Sequence, residues 1–118
     1  VIDGGNFLPA IAGKPVERQR PLYWRCDIAP GDMKTAMRMG DWKIVADEPL
    51  TKFELYHLGK DRQETTDLAT KEPKVLAEMK TALIKLNTEI EAEGPKWWRS
   101  YAAETAARKG QGAAKKKN

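Results

Sequence analysis

Apolar side chains change their spacing along this chain, and the changes divide it. Between residues 21 and 28, Leu22, Trp24, Cys26 and Ile28 alternate with Tyr23, Arg25 and Asp27, the period-two pattern of a strand with one buried face. Ala29-Pro30-Gly31-Asp32 breaks it as a turn. Residues 34–39 and 42–47 follow with only Gly40-Asp41 between them, and glycine at the first loop position favours a type II′ hairpin turn. That register sets Met39 opposite Trp42 and Met37 opposite Ile44, making one face of the hairpin apolar. It also sets Arg38 opposite Lys43, a like-charge pair unfavourable by roughly a few tenths of a kcal/mol or more. Asp27 or Glu54, from the neighbouring strands, is expected to relieve it.

After the turn around Pro49, residues 53–58 add a fourth strand with Phe53 and Leu55 on the apolar side. The expected face carries Leu22, Trp24, Cys26, Met37, Met39, Trp42, Ile44, Phe53 and Leu55, and it must be covered. Between 71 and 93 the period becomes helical. Val75, Met79, Ala82, Leu83, Leu86 and Ile90 recur at three- and four-residue steps, the stripe of an amphipathic helix. Thr70 is the expected N-cap, Pro73 is tolerated in the first turn, and Gly94-Pro95 stops the helix. The fold class is therefore α+β: a four-stranded antiparallel sheet with one long C-terminal α-helix packed on one face.

Residues 1–20 read as a connecting segment punctuated by Gly4-Gly5 and Gly13-Lys14-Pro15, with residues 7–11 apolar enough for a short helical turn that packs. Opening at Val1, the chain reads as a piece of a longer polypeptide. Its 118 residues suit one domain with one modest core. No run of about 18 uncharged apolar residues occurs, so no membrane span is expected. The formal charge of +4 belongs to the end: residues 96–118 hold seven Lys or Arg and one Glu, leaving residues 1–95 at −2. This low-complexity basic tail reads as a solvated terminus. Its alternative, a basic arm gripping phosphates or a sulfated glycan, finds no support elsewhere in the chain for an anionic polymer, and nucleic acid is not an expected partner.

Few residues carry candidate chemistry. Cys26 is the only cysteine and lies on the expected apolar side of a strand, which makes it a buried, inert thiol and excludes an internal disulfide. His57 is the only histidine, and an imidazole without an assigned partner reads as structural. One Cys and one His cannot supply a zinc site. Asp61, Glu64 and Asp67 lack the spacing of a calcium loop and read as caps on backbone amides. No phosphate loop, His-Glu-x-x-His or Gly-x-Ser-x-Gly occurs, so no catalytic residue and no metal ligand is assigned. Trp97 and Trp98, between Lys96 and Arg99, have two readings: packing on the domain or on a partner domain, or a stacking platform for a sugar ring or a base. The second would make the chain a free-standing glycan-binding module. The opposite face of the sheet, with Tyr23, Arg25, Asp27, Arg38, Lys43, Val45, Glu54 and Tyr56, mixes aromatics with pairable charges and suits an interdomain contact. Arg25, Arg38, Lys43 and Tyr56 are its candidate residues.

Taken in order, several segments form a recognisable series. These are Asp3-Gly4 with Phe7-Leu8-Pro9 and Ala12-Gly13; Arg20-Pro21-Leu22-Tyr23-Trp24; Ala36-Met37-Arg38-Met39-Gly40-Asp41-Trp42-Lys43-Ile44-Val45; and Phe53-Glu54-Leu55-Tyr56-His57-Leu58. The Asp61, Glu64 and Asp67-Leu68-Ala69 turn then precedes a helix opening with Pro73-Lys74-Val75. From about residue 2 to residue 93 this series resembles the C-terminal subdomain of the sulfatase family, of the arylsulfatase and N-acetylgalactosamine-6-sulfatase type. The family usually has Asp at the place of His57, Pro at that of Arg62 and Asn at that of Asp67. The resemblance implies a sulfuric ester hydrolase whose missing N-terminal domain supplies the chemistry: a formylglycine made from Cys or Ser in a Cys/Ser-x-Pro-x-Arg motif, and a bound Ca²⁺. Cys26 is followed by Asp27-Ile28-Ala29 and is not that precursor. On the resemblance, residues 1–20 connect to the catalytic domain, 21–95 are a non-catalytic subdomain packed on it, and 96–118 are an aromatic and then basic tail. The subdomain would help shape the entrance for a sulfated substrate, and the parent would be exported to the periplasm or the cell exterior.

Overall fold

The computed structural model describes residues 5–18 and 20–94. In chain order they form a one-turn helix α1 (Leu8–Ile11), strands β1 (Leu22–Arg25), β2 (Met33–Met39), β3 (Trp42–Asp47) and β4 (Phe53–His57), and a long helix α2 (Pro73–Glu93). The strands lie in the order β1-β2-β3-β4 with every neighbour antiparallel. The fold is the expected α+β arrangement, with α2 packed on the sheet. The chain divides into two compact units, residues 1–84 with the sheet and the first part of α2, and residues 85–118 with the remainder.

Local chemistry fixes the meander. Gly40 has φ 57°, the sign that the first loop position of a type II′ turn needs, and the pairs Met39–Trp42, Arg38–Lys43 and Met37–Ile44 follow as the two-residue loop dictates. Further along, Lys34 is an extra residue on β2 that shifts the register between Met33 and Thr35, a bulge. The β3–β4 turn is held by the buried Asp47. Its carboxylate accepts the Thr51 amide (2.6 Å), the Thr51 hydroxyl (2.7 Å) and the Lys52 amide (2.9 Å). Those bonds keep Leu50 in a left-handed conformation, φ 55°, that a branched residue otherwise avoids.

One face of the sheet is the core. Cross-strand partners share a face, so Tyr23, Met37, Ile44 and Leu55 form one row and Arg25, Thr35, Ala46 and Phe53 the next. Met37, Ile44, Ala46 and Leu55 have no exposure, and α2 lays Met79 and Leu83 into the same core. The Lys80 ammonium reaches over the Phe53 ring, 4.5 Å from its centroid, closing the edge of that packing with a cation–π contact. Opposite β3, the outer edge of β4 is sealed at Leu55, whose carbonyl accepts the Leu68 amide (2.7 Å) and whose amide donates to Asp67 (2.9 Å).

Five expectations fail. The alternation in β1 runs in the other phase: Tyr23 and Arg25 lie on the helix side, while Leu22 and Trp24 lie on the open side, Trp24 with 48% of its surface exposed. Cys26, one step further on, is exposed and not a buried thiol. Residues 8–11 do form a helical turn, preceded by a bond from the Leu8 amide to the Asn6 side-chain oxygen, but Phe7, Leu8 and Ile11 stay exposed instead of packing. Finally, α2 opens at Pro73, a first-turn position that needs no amide donor, so Thr70 sits in the preceding turn and is not the cap. Ile90, expected in the apolar stripe, is 37% exposed.

Candidate functional site

The open face of the sheet is built from two rows. Leu22, Arg38, Lys43 and Tyr56 stand side by side across the four strands, and Trp24, Ala36, Val45 and Glu54 form the adjacent row. Of the four residues expected to make an interdomain contact, Arg38, Lys43 and Tyr56 share this face. Arg25 does not, because the phase of β1 turns it to the helix side beside Thr35, where it pairs with Asp27 (2.9 Å) and approaches Glu48 (3.7 Å).

The charges on this face are matched within the chain. Lys43 Nζ donates to both carboxylate oxygens of Glu64, at 2.6 and 2.7 Å, which ties β3 to the loop that follows β4. Tyr56 Oη donates to Glu54 at 2.7 Å. Burial, and then the Glu54 carboxylate, push the Tyr56 phenol well above its ordinary value of 10.0, so it stays a neutral donor. Arg38 Nε donates to the Gly40 carbonyl at 2.8 Å, and one of its Nη nitrogens lies 3.9 Å from Asp41. The like-charged neighbours Arg38 and Lys43 are thus relieved by Asp41 and Glu64. The expected acids are occupied elsewhere, Asp27 with Arg25 and Glu54 with Tyr56. Glu64 reaches Lys43 across 21 residues of chain, a pairing that no local spacing announces.

With its charges internally satisfied, the face offers a partner an apolar strip of Leu22, Trp24, Ala36 and Val45 bordered by polar groups. An exposed indole beside small and branched aliphatics is the composition of an interface centre.

Two of the three turn carboxylates, Asp61 and Asp67, behave as caps; Glu64, expected to cap as well, pairs with Lys43 instead. Asp61 accepts the amides of Thr66 (2.9 Å) and Thr65 (2.8 Å) and the Thr65 hydroxyl (3.1 Å), and these bonds, the Thr66 amide first, hold its carboxyl below the ordinary 3.8. Asp67 accepts the amides of Leu55 and Ala69, both at 2.9 Å. With Glu64 committed to Lys43, the three do not converge on a cation, and no group of three or more His, Cys, Asp or Glu side chains among the described residues could hold a metal ion. His57 lies on the helix side, its ring edge-on to Trp42 with centroids 4.6 Å apart and its Nδ1 buried without a hydrogen-bond partner. Among the described residues no helix is long and apolar enough to cross a membrane. Trp97 and Trp98 lie outside the described residues.

Sequence reasoning missed Arg18 and Arg20, which line a hollow beside the β2–β3 turn together with Arg38. The signal was present in the register: pairing Leu22 with Arg38 carries Arg20 toward Gly40, but that pairing is legible only once the phase of β1 is known. Set against known protein families and against curated proteins, the sequence matches none of them.

Proposed function

We propose that this chain is the C-terminal, non-catalytic subdomain of a sulfatase, and that it packs on a catalytic domain through the open face of its sheet. The observation that carries the proposal is the strip of Leu22, Trp24, Ala36 and Val45, left uncovered on the face opposite α2 while the charges around it are paired. A sheet with one sealed face and one apolar, uncovered face is suited to serve as one layer of a larger molecule. The ordered series of segments resembling the sulfatase subdomain names the partner. On this reading formylglycine and Ca²⁺ belong to the partner domain. The residues here do not fit either group: Cys26 lacks the Cys-x-Pro-x-Arg context, and Asp61, Glu64 and Asp67 have other partners. The subdomain then stabilises the catalytic domain and borders the entrance for a sulfated substrate, in a parent exported from the cytoplasm.

The experiment is the parent protein with Trp24→Glu on the open face. The expected result is lost solubility or lost sulfate-ester hydrolysis in the parent, with the isolated 118-residue chain remaining folded by circular dichroism. A parent gene encoding no Cys/Ser-x-Pro-x-Arg motif upstream of Val1 would refute the assignment. So would a parent whose activity and melting temperature ignore the substitution.

A further inference from the structure

Residues 5–17 form a loop whose ends meet. A Cβ on Gly5 would lie 3.1 Å from both the Glu17 carbonyl oxygen and Val16 Cγ1, tighter than ordinary contact, and glycine permits the approach. Within the loop, α1 is closed by its own backbone. The Lys14 amide donates to the Pro9 carbonyl at 2.9 Å and the Gly13 amide to the Ala10 carbonyl at 3.0 Å, with Gly13 at φ 68°. These are the paired bonds and left-handed glycine of a Schellman motif. At the other end the Asn6 side-chain oxygen accepts the Leu8 amide at 3.1 Å, and Pro9 stands in the first turn, where no amide donor is needed. Bonds to the main chain hold this turn, and its large side chains are free for another task.

Those side chains are Phe7, Leu8 and Ile11, which are 74%, 71% and 81% exposed. Phe7 and Leu8 lie four and three positions before Ile11, so the three share one side of the turn. A preformed turn that presents three large apolar groups outward has the geometry of an anchor entering a groove. At roughly 150 Å² for each side chain the tip offers on the order of 400 Å² of apolar surface, about half of what one partner contributes to a standard interface.

The chemistry of the tip selects its occupant. Residues 5–13 carry no charge, so the tip lacks the basic groups that would hold it on an anionic membrane surface, and an uncharged apolar cleft in a protein suits it. The position of the loop selects which protein. Val16 and Glu17 at its base line the same hollow as Leu22, and Leu22 begins the apolar strip on the open face of the sheet. That strip, one half-exposed indole and three part-buried side chains, is small for a stable contact by itself. A domain that covers it lies beside the loop and gains the tip as well.

We infer that Phe7, Leu8 and Ile11 are a second anchor, seated in an apolar cleft of the catalytic domain. The inference rests on the proposed packing against that domain and adds a separate contact made by separate residues.

The test is footprinting with N-ethylmaleimide, run on the isolated 118-residue chain and on the intact parent, with labelling at each position read by peptide mass spectrometry. In a Cys26→Ser background, Ile11→Cys reports the tip, Trp24→Cys the strip, and Thr81→Cys, on the exposed side of α2, the reference rate. Relative to that reference, Ile11→Cys should react at least about tenfold more slowly in the parent than in the isolated chain, as a site open less than a tenth of the time does. Leu8→Cys replaces it if the Ile11→Cys parent does not fold. Slow labelling at Trp24→Cys with fast labelling at Ile11→Cys would overturn this inference and leave the packing of the strip standing. Slow labelling at Ile11→Cys alone would keep the tip anchor and overturn the strip, and fast labelling at both would overturn both. Protection of Ile11→Cys in the isolated chain that rises with protein concentration would overturn the inference in favour of a second copy. So would protection of the isolated chain by phosphatidylglycerol vesicles while the parent stays reactive, in favour of a membrane.

Discussion

Leu83→Ala tests the claim that α2 holds the sheet together. Leu83 has no exposed surface and, with Met79, lies in the core that also contains Met37, Ile44 and Leu55. The substitution removes three carbon groups from a dry site, about 2.4 kcal/mol at roughly 0.8 kcal/mol each. A residual cavity adds to that, and the gain in helix propensity from Leu to Ala is small, so the net loss is about 3 kcal/mol. For a domain whose total stability is of order 5–15 kcal/mol this is a large fraction. Ile84, the next residue, is 43% exposed, and Ile84→Ala should cost less than about 1 kcal/mol. Urea unfolding followed by far-ultraviolet circular dichroism separates the two. With a slope near 1.5 kcal/mol/M, typical of a small protein, the midpoint should fall by about 2 M for Leu83→Ala and by well under 1 M for Ile84→Ala. Equal midpoints for the two variants would refute the packing of α2 on the sheet. If Leu83→Ala leaves no folded baseline, Leu83→Val should show an intermediate loss.

Breaking the Lys43–Glu64 pair should show coupling. Its two side chains are 23% and 31% exposed, between a surface and a buried pair, so a double-mutant cycle with Lys43→Met and Glu64→Gln should return about 1 kcal/mol, diminishing in high salt. Gly40→Ala introduces a Cβ into open space but at φ 57°, and should destabilise by about 1 kcal/mol in the same urea assay, through backbone conformation alone. Asp47 and Asp61 predict the acid limb of stability. Burial opposes ionisation of Asp47, but the Lys52 and Thr51 amides and the Thr51 hydroxyl outweigh it, and Asp61 is held down chiefly by the Thr66 amide. Both folded values lie below the ordinary 3.8, so the stability they contribute is complete above that pH and is lost as pH falls through the depressed values. Asp47→Asn with Asp61→Asn should flatten the midpoint-against-pH curve below about pH 4, and an unchanged slope there would refute the capping geometry.

The hairpin and the helix were legible because each rests on a single, unopposed signal. Gly40-Asp41 allows one loop length, and that length fixes three cross-strand pairs with no tertiary information. The α2 stripe repeats for several turns, so its buried face at Met79 and Leu83 survives small errors at the ends. The turn carboxylates were equally readable, because Asp67 and Asp61 bond amides within a few residues of themselves, apart from the Leu55 amide that Asp67 also accepts. What escaped was whatever depended on long-range pairing. Glu64 meets Lys43 from across β4, and nothing in the spacing of either distinguishes it from Glu54 as a partner.

β1 failed for a different reason, and that reason bears on function. Hydrophobicity assigns the buried face to Leu22, Trp24 and Cys26, because the alternative phase would bury Arg25. That inference assumes the sheet has one apolar face. This sheet has two, and at the edge strand the helix side is the less demanding one: Arg25 keeps a quarter of its side-chain surface and satisfies its charge with Asp27. The most apolar phase of β1 is free to turn outward, where it joins Ala36 and Val45. An isolated domain gains nothing from presenting Trp24 to water, since burying an indole is among the larger hydrophobic gains available to a small protein. On the proposed reading, a second layer covers it and recovers that cost. The same inversion pairs Leu22 with Arg38 and so draws Arg20 up to the β2–β3 turn, which opens the arginine-lined hollow at the end of the apolar strip. The apolar strip and the arginine-lined hollow are therefore two consequences of one choice of phase in a four-residue strand.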